Sequence, residues 1–160
     1  MPFSPTLPAR RSIRLRHFDY TSPGCYFVTL CCHQHRTLLG QIKQGELLAS
    51  PIGNIVNQQI LQWAKRYPQM SLDAFVIMPN HLHLLCTLQT CSTPIPLGSC
   101  IGALKSICWQ QTKHLLRTRL WQRNYFEHVV RNENSLQMIV AYIKNNPQQW
   151  TQDRFYRDDS

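Results

Sequence analysis

The most constraining stretch of this chain is an apolar segment at residues 74–88 that carries two histidines. The run Ala-Phe-Val-Ile at residues 74–77 has the length and β-branching of a buried strand. Pro79 and Asn80 then indicate a turn, because proline fixes φ and asparagine tolerates unusual backbone angles. Since the apolar pattern resumes after the turn, the sequence predicts two strands joined as a hairpin.

His81 and His83 lie in the second of these strands. Side chains alternate between the two faces of a strand, so both imidazoles point to one face and Leu82 points to the other. Residues two apart on a strand are separated by about 6–7 Å, a spacing at which two imidazoles can share one divalent metal ion. A single His-x-His is more often a packing feature, so the metal interpretation requires support from elsewhere in the chain.

The composition favours a polyanionic partner and one domain. The 160 residues contain 17 Lys and Arg against 8 Asp and Glu, which gives a net charge of +9 and a pI near 9.5. Such an excess favours nucleic acid, although ribosomal, membrane-surface and chaperone-like proteins share it. We expect a single domain over residues 1–160, and no apolar run approaches the ~20 residues needed to span a membrane.

Two further features favour a cytoplasmic location. Residues 1–8 are proline-rich and lack the apolar block of a signal peptide. The seven cysteines include no Cys-x-x-Cys pair, and four lie in apolar strand or helix patterns, which argues against a disulfide framework.

Periodicity and turn residues outline the remaining elements. Strands are predicted at residues 25–32, 38–42, 46–48 and 125–130, and helices at 51–67, 97–116 and 133–146, the last one stopped by Pro147. A second His-x-His at residues 33–35 lies at a strand end, and we expect no functional site there. Residues 148–160 are predicted to form a short polar tail that frays, apart from Trp150 and Phe155.

Basic residues in two regions are candidates for contacts with DNA. One region is an N-terminal arm at about residues 1–20, where arginine suits phosphate through its fork of donors. The other is the helix at 97–116 with the segment after it, where an aromatic is available for base stacking. A solvated tail and a solvated helix face explain the same charges. The candidate set is Arg10, Arg11, Arg14, Arg16, Lys105, Trp109, Lys113, Arg117, Arg119 and Arg123.

The last predicted helix brings a phenol and an amide together. At about 100° per residue, Tyr142 and Asn146 lie some 40° apart on one flank of the apolar stripe. Residues four apart on a helix are neighbours, so both side chains are placed to face the same histidines. Tyr125 is the rival nucleophile, but it precedes a strand-like run and is expected to pack or stack on a base.

An ordered set of motifs resembles one family. The octet Met-Pro-Asn-His-Leu-His-Leu-Leu at residues 78–85 resembles the His-hydrophobic-His signature of the HUH nucleases, in the form found in single-tyrosine transposases. The motif Tyr-Ile-Lys-Asn-Asn-Pro at 142–147 follows Trp121, Phe-Glu-His at 126–128 and Arg-Asn at 131–132. This set resembles the C-terminal half of transposases associated with repetitive extragenic palindromes (REPs). Segments 11–15, 26–29 and 102–106 also match, so the resemblance spans about residues 10–150.

The resemblance implies an α+β fold, with a ferredoxin-like antiparallel sheet of the HUH nuclease type and helices packed mainly on one face. It implies Tyr142 as the nucleophile, His81 and His83 as metal ligands, and Asn146 at the position of a third, amide-bearing ligand. The implied cofactor is Mg²⁺ or Mn²⁺; imidazole suits Mn²⁺ better, whereas Mg²⁺ is abundant in cells.

The substrate implied by the family is single-stranded DNA folded as REP-like hairpins, cleaved and rejoined through a 5′-phosphotyrosine intermediate. The expected protein is a monomer or homodimer, cytoplasmic and associated with the bacterial nucleoid, with no membrane partner. Two alternatives stay open. One is a domesticated protein that binds hairpin DNA without cutting it, and the other is an RNA-binding module.

Overall fold

The computed structural model describes residues 21–158, so the predicted arm with Arg10, Arg11, Arg14 and Arg16 lies outside the described residues. The strands are β1 (Gly24–Cys31), β2 (Gly40–Lys43), β3 (Glu46–Ala49), β4 (Met70–Ile77), β5 (His81–Leu88) and β6 (Phe126–Val130). The helices are α1 (Pro51–Ala64), α2 (Leu97–Thr112) and α3 (Glu133–Asn145), with short 3₁₀ helices at His33–His35, Lys113–Leu115 and Pro147–Gln152.

Four strands form one antiparallel sheet in the order β4-β5-β1-β6, while β2 and β3 form a separate hairpin. Without that hairpin, the chain follows the β-α-β-β-α-β succession of ferredoxin-like folds. The predicted α+β class and antiparallel sheet are confirmed. Strand β5, which carries both histidines, lies in the interior of the sheet between β4 and β1.

The two faces of the sheet pack against different helices. On one face, alternate residues of β1 and β5 such as Val28 and Leu84 form the larger core together with α1 and α2. On the other face, Phe27 and Leu85 pack against Ile139 and Ile143 of α3 in a smaller core. Two of the three α-helices therefore lie on one face, and within residues 21–158 the third, α3, lies on the face to which the histidines point.

Local signals fix the two elements that carry the candidate site. The turn between β4 and β5 is closed by the amide of Met78, which donates to the carbonyl of His81 at 2.8 Å. Helix α3 begins after Asn132, whose side-chain oxygen accepts from the amide of Ser135 at 2.8 Å. Its regular turns end just before Pro147, as expected for a residue without an amide hydrogen.

The predicted fraying of the C-terminal tail is wrong for residues 148–158. Residues Pro147–Gln152 form a 3₁₀ helix, and the chain then folds back over the end of β5. Trp150 and Phe155 are buried, so two large apolar side chains offset the polarity of the surrounding segment. Among residues 21–158, no helix has the length and apolarity needed to cross a membrane.

Candidate metal centre and nucleophile

His81 and His83 lie side by side beneath α3. Their ring centroids are 4.8 Å apart, and the two side chains are 0% and 1% exposed. The predicted placement of both imidazoles on one face is confirmed, because His83 pairs with Thr29 and His81 with Cys31 across β1. The alternation of side chains along a strand was sufficient to predict this part of the site.

Each imidazole is oriented through its Nδ1 atom. Nδ1 of His83 lies 2.7 Å from the hydroxyl of Thr29, and Nδ1 of His81 lies 2.8 Å from Oδ1 of Asn80. The ring of Phe27 stacks on His83 with centroids 5.0 Å apart. Held in this way, the two rings leave both Nε2 atoms for a common partner, the arrangement usual for histidines that bind a metal.

Two oxygen-bearing side chains approach the histidines from the C-terminal part of the chain. A carboxylate oxygen of Asp153 and one ring nitrogen from each histidine lie within 4.8 Å of one another. Asn146 is 2% exposed, and its amide nitrogen is 3.4 Å from Oδ2 of Asp153. Asn146 therefore lies beside Asp153, and its role as a metal ligand stays a prediction.

Sequence reasoning missed Asp153 because it lies in a segment predicted to fray. Two aromatic contacts hold that segment in place: the ring of Phe155 lies 4.8 Å from that of His81 and stacks on that of His35 at 5.4 Å. The 33–35 motif, to which we assigned no function, thus supports the segment that carries Asp153. The available signal was Phe155, two residues after Asp153, since a large apolar residue in a polar tail indicates docking.

Burial sets the protonation states of the nitrogen ligands. It lowers the pKa of His83 to about 3. It also lowers the pKa of His81 well below the ordinary value, with smaller contributions from the nearby His83 and His35. Both rings are therefore neutral at pH 7 and retain a lone pair for a cation.

The donor atoms present suit a divalent cation. Nε2 of His81, Nε2 of His83 and Oδ1 of Asn146 are buried and have no hydrogen-bond partner within residues 21–158. Buried polar atoms without partners are costly, and a bound ion is one way in which such atoms are satisfied. Two imidazoles with a carboxylate and an amide oxygen fit Mn²⁺ or Mg²⁺ and leave positions for other ligands.

Tyr142 lies on α3 directly against this group. Its ring is 5.3 Å from that of His83 and meets Phe27 edge-on at 6.2 Å. Burial, followed by the charge of Asp153, raises the pKa of Tyr142 to about 12, while hydrogen bonding to Asn146 and the charge of Arg154 act in the opposite direction. At pH 7 the phenol is therefore neutral and needs activation before it can act as a nucleophile.

Burial also changes the pKa of the Asp153 carboxylate. Burial raises its pKa above the ordinary value, and this effect is opposed by hydrogen bonds from the Phe155 amide and the Asn146 side chain and by the charge of Arg154. The Phe155 amide donates to Oδ1 at 2.8 Å, which leaves Oδ2 directed toward His81.

The candidate DNA-binding residues within the described range fall into two groups. Lys113, Arg117, Arg119 and Arg123 are exposed. Lys105 instead donates from Nζ to the carbonyls of Gln122 at 2.7 Å and Asn124 at 2.9 Å, and Trp109 is partly buried against the larger core. The structure thus places Lys105 as a link between α2 and the segment before β6, and a DNA contact from it stays a prediction.

Comparison with known proteins gives the family of the chain. Residues 28–146 match the family described as IS200-like transposases. A REP-associated tyrosine transposase bound to a REP hairpin superimposes with a TM-score of 0.63 at 22% identity, covering 87% of this chain and 74% of the other. This likeness confirms the predicted HUH-type fold.

Two proteins of Haemophilus influenzae are similar over most of their length. An uncharacterized protein is 38% identical over 170 residues, which cover 93% of this chain and 94% of the relative. A candidate REP-associated tyrosine transposase is 27% identical over 163 residues, which cover 88% and 84%. The matched family region contains His81, His83 and Tyr142. The chain therefore belongs to the IS200-like transposase family, and within that family it resembles the REP-associated tyrosine transposases.

Proposed function

We propose that this protein is a metal-dependent single-stranded DNA endonuclease and strand transferase that acts on REP-like hairpins through Tyr142. The observation that carries the proposal is that the Tyr142 ring lies 5.3 Å from that of His83, beside two buried Nε2 atoms, of His81 and His83, that have no hydrogen-bond partner among residues 21–158. A phenol beside two neutral imidazoles matches nucleophilic catalysis at a phosphodiester. The relative bound to a REP hairpin supports hairpin DNA as the substrate.

The proposed metal ligands are His81, His83, Asp153 and Asn146, which together offer two nitrogen and two oxygen donors. The cation is Mn²⁺ or Mg²⁺, and it would polarise a non-bridging oxygen of the scissile phosphate. With four protein groups in reach, coordination positions remain for phosphate and water.

The covalent step belongs to Tyr142. Its phenolic oxygen gives up a proton to solvent and forms a bond to phosphorus, while the bond from phosphorus to the 3′ oxygen breaks and that oxygen takes up a proton from solvent. The products are a 5′-phosphotyrosine and a free 3′-hydroxyl. Because the phosphodiester energy is kept in the new bond, attack by a 3′-hydroxyl restores a DNA strand and the free phenol without ATP.

Exposed cations supply the proposed contacts with the DNA backbone. Lys113, Arg117, Arg119 and Arg123 lie after the end of α2, and the N-terminal arginines 10, 11, 14 and 16 would add to them. We also propose that Trp109 stacks on a base and that the protein works as a monomer or homodimer beside the bacterial nucleoid. An arm at about residues 1–20 and one catalytic domain complete this proposal.

The covalent intermediate gives a direct test. Purified protein is incubated with a palindromic single-stranded oligonucleotide and Mn²⁺, and a denaturation-resistant conjugate is mapped by mass spectrometry. We expect a phosphotyrosine at Tyr142, its loss in Tyr142→Phe with hairpin binding retained, and its persistence in Tyr125→Phe. Adducts that persist in Tyr142→Phe would overturn the assignment, and cleavage of an RNA of matching sequence would contradict the DNA substrate.

A second candidate is a protein that binds hairpin DNA without cutting it. The observation that favours it is the burial of Tyr142, which raises the pKa of the phenol to about 12 and disfavours the nucleophilic phenolate. This alternative predicts binding with steep salt dependence and no conjugate with any divalent cation.

A further inference from the structure

Asn80 lies between His81 and the C-terminal segment and is fully buried. Its Nδ2 atom donates to the carbonyl of Phe155 at 2.7 Å and to the carbonyl of His35 at 3.2 Å. Its Oδ1 atom lies 2.8 Å from Nδ1 of His81. One amide side chain thus connects the candidate metal ligand to two segments distant in the sequence.

These contacts fix which way the amide faces. A backbone carbonyl can only accept hydrogen bonds, so the NH₂ group of Asn80 must face Phe155 and His35. The amide oxygen then faces His81, and an amide oxygen can also only accept. The proton of neutral His81 must therefore be on Nδ1, which leaves the lone pair on Nε2.

That lone pair is the one that a metal ion in the proposed site requires. Nε2 of His81 lies 3.6 Å from Oδ2 of Asp153 and has no hydrogen-bond partner among the described residues. The opposite tautomer would place a hydrogen on Nε2 and exclude a cation from it. The turn itself does not require asparagine, because Asn80 is not among the described non-glycine residues with positive φ.

We propose that Asn80 is a positioning residue that holds His81 in the Nδ1–H tautomer, and that it does so through the docked C-terminal segment. The segment then contributes twice: it brings the Asp153 carboxylate to the histidines, and the Phe155 carbonyl orients the amide that fixes the His81 tautomer. The inference rests on the proposed function in taking His81 as a metal ligand.

His83 provides an internal comparison. Its Nδ1 atom contacts the hydroxyl of Thr29, which can both donate and accept a hydrogen bond. Thr29 therefore does not impose a tautomer, whereas Asn80 does. The tautomer of His81, and not that of His83, should depend on the residue at position 80.

Nitrogen-15 NMR of histidine-labelled, metal-free protein tests the inference directly, because the chemical shifts of the two ring nitrogens report which one carries hydrogen. In the wild type at pH 7.5 we expect hydrogen on Nδ1 of His81, with assignment by the spectrum of His81→Asn. Hydrogen on Nε2 of His81 in the wild type would overturn the proposal without reference to any position-80 variant.

Two substitutions separate the accepting and donating roles of the side chain. Asn80→Leu removes both, so we expect His81 to shift toward the Nε2–H tautomer and Mn²⁺ affinity to fall by about 10–100-fold. Asn80→Asp keeps the acceptor and removes the donors. In this variant we expect the Nδ1–H tautomer to persist, while hydrogen exchange at the Phe155 and Tyr156 amides becomes faster.

The control is Asn145→Ala, which replaces an exposed asparagine on α3 and should change neither tautomer, exchange nor affinity. Should Asn80→Leu not fold, the wild-type tautomer and the exchange data for Asn80→Asp decide the question. Unchanged exchange in Asn80→Asp would contradict the link to the C-terminal segment. If the wild-type protein has the Nδ1–H tautomer of His81 but forms no DNA conjugate, the proposed function alone is refuted. If it forms the conjugate but has the Nε2–H tautomer of His81, this inference alone is refuted.

Discussion

Oδ2 of Asp153 lies 3.6 Å from Nε2 of His81, and the two side chains are 1% and 0% exposed. Both groups are thus withdrawn from water, and the imidazole is neutral because burial lowers its pKa. A neutral imidazole offers the carboxylate no opposite charge. A cation between them would satisfy both groups.

Replacing Asp153 should weaken metal binding. We expect Asp153→Asn and Asp153→Ala to lower Mn²⁺ affinity by about tenfold or more, equivalent to at least about 1.4 kcal/mol, because a charged oxygen ligand is lost. Isothermal titration calorimetry or the electron paramagnetic resonance of free Mn²⁺ measures the affinity. Glu46→Gln removes an exposed carboxylate on β3 and should bind Mn²⁺ like the wild type; equal affinity in all four proteins would exclude Asp153 as a ligand.

Metal removal should destabilise the fold. An ion that binds the folded state at 100 times its dissociation constant stabilises it by about 2.7 kcal/mol. We therefore expect Mn²⁺ to raise the midpoint of urea unfolding and EDTA to reverse the change. The rise of the urea midpoint with Mn²⁺ should be lost in a His81→Asn/His83→Asn double variant. A Mn²⁺-dependent stabilisation that persists in this variant would place the ion elsewhere.

Acid should destabilise the metal-free protein. Burial lowers the pKa of His83 to about 3 and that of His81 well below its ordinary value. Below about pH 6.5 the unfolded state binds protons that the folded state does not, so stability is complete above this pH and falls as the pH drops. For each histidine, we expect a loss of about 1.4 kcal/mol between pH 7.5 and 5.5.

Urea unfolding at the two pH values measures this loss. His83→Asn should reduce it, whereas His114→Asn, which replaces an exposed histidine, should not. Asp153 has the opposite effect on the pH dependence of stability: because its pKa is raised, its contribution to the stability of the folded state grows as the pH falls. The same measurement in Asp153→Asn therefore isolates the contribution of the histidines. A stability that is constant over this range would show that the imidazoles are accessible to protons in the folded state.

Cleavage should accelerate with pH. Because the pKa of Tyr142 is raised to about 12, the phenolate fraction grows tenfold per pH unit throughout the neutral range. We expect the rate of conjugate formation with Mn²⁺ to increase from pH 6.5 to 9 without a plateau, while hairpin affinity stays nearly constant. A plateau near pH 7 would mean that the loaded site lowers the pKa of the phenol.

Exposed arginines and Lys105 should respond differently to substitution. Arg117→Ala and Arg119→Ala should each weaken hairpin binding and lower the slope of log affinity against log salt by about 1, as expected for one lost phosphate contact. Lys105→Met should instead lower the free energy of unfolding by about 1–3 kcal/mol, because two carbonyls lose a charged donor. Lys43→Ala, which replaces an exposed residue of β2, serves as the control for both measurements.

Much of the site was predictable from local periodicity. The alternation that places His81 and His83 on one face depends only on strand geometry, and the four-residue spacing of Tyr142 and Asn146 depends only on helix geometry. Each rule acts within one element, so a single sequence reveals it. The helix ends beyond Ala64 and Thr112 were predicted too long by three or four residues, because apolar and basic side chains continue past the regular hydrogen bonding.

The roles of Asp153 and Asn80 could not be predicted from local periodicity, for a physical reason. Their roles depend on a segment that folds back across the sheet. The path of that segment is set by ring contacts of Trp150 and Phe155 with His81, which no local pattern specifies. The sequence by itself determined the histidine pair, the tyrosine, the basic charge and the α+β succession of elements. Tertiary packing alone decided that α3 covers the histidine face, that a carboxylate from the tail reaches them, and that an amide in the turn orients one of the rings. Contacts between distant segments depend on the shapes of the surfaces that meet, and those surfaces exist only after the sheet has formed.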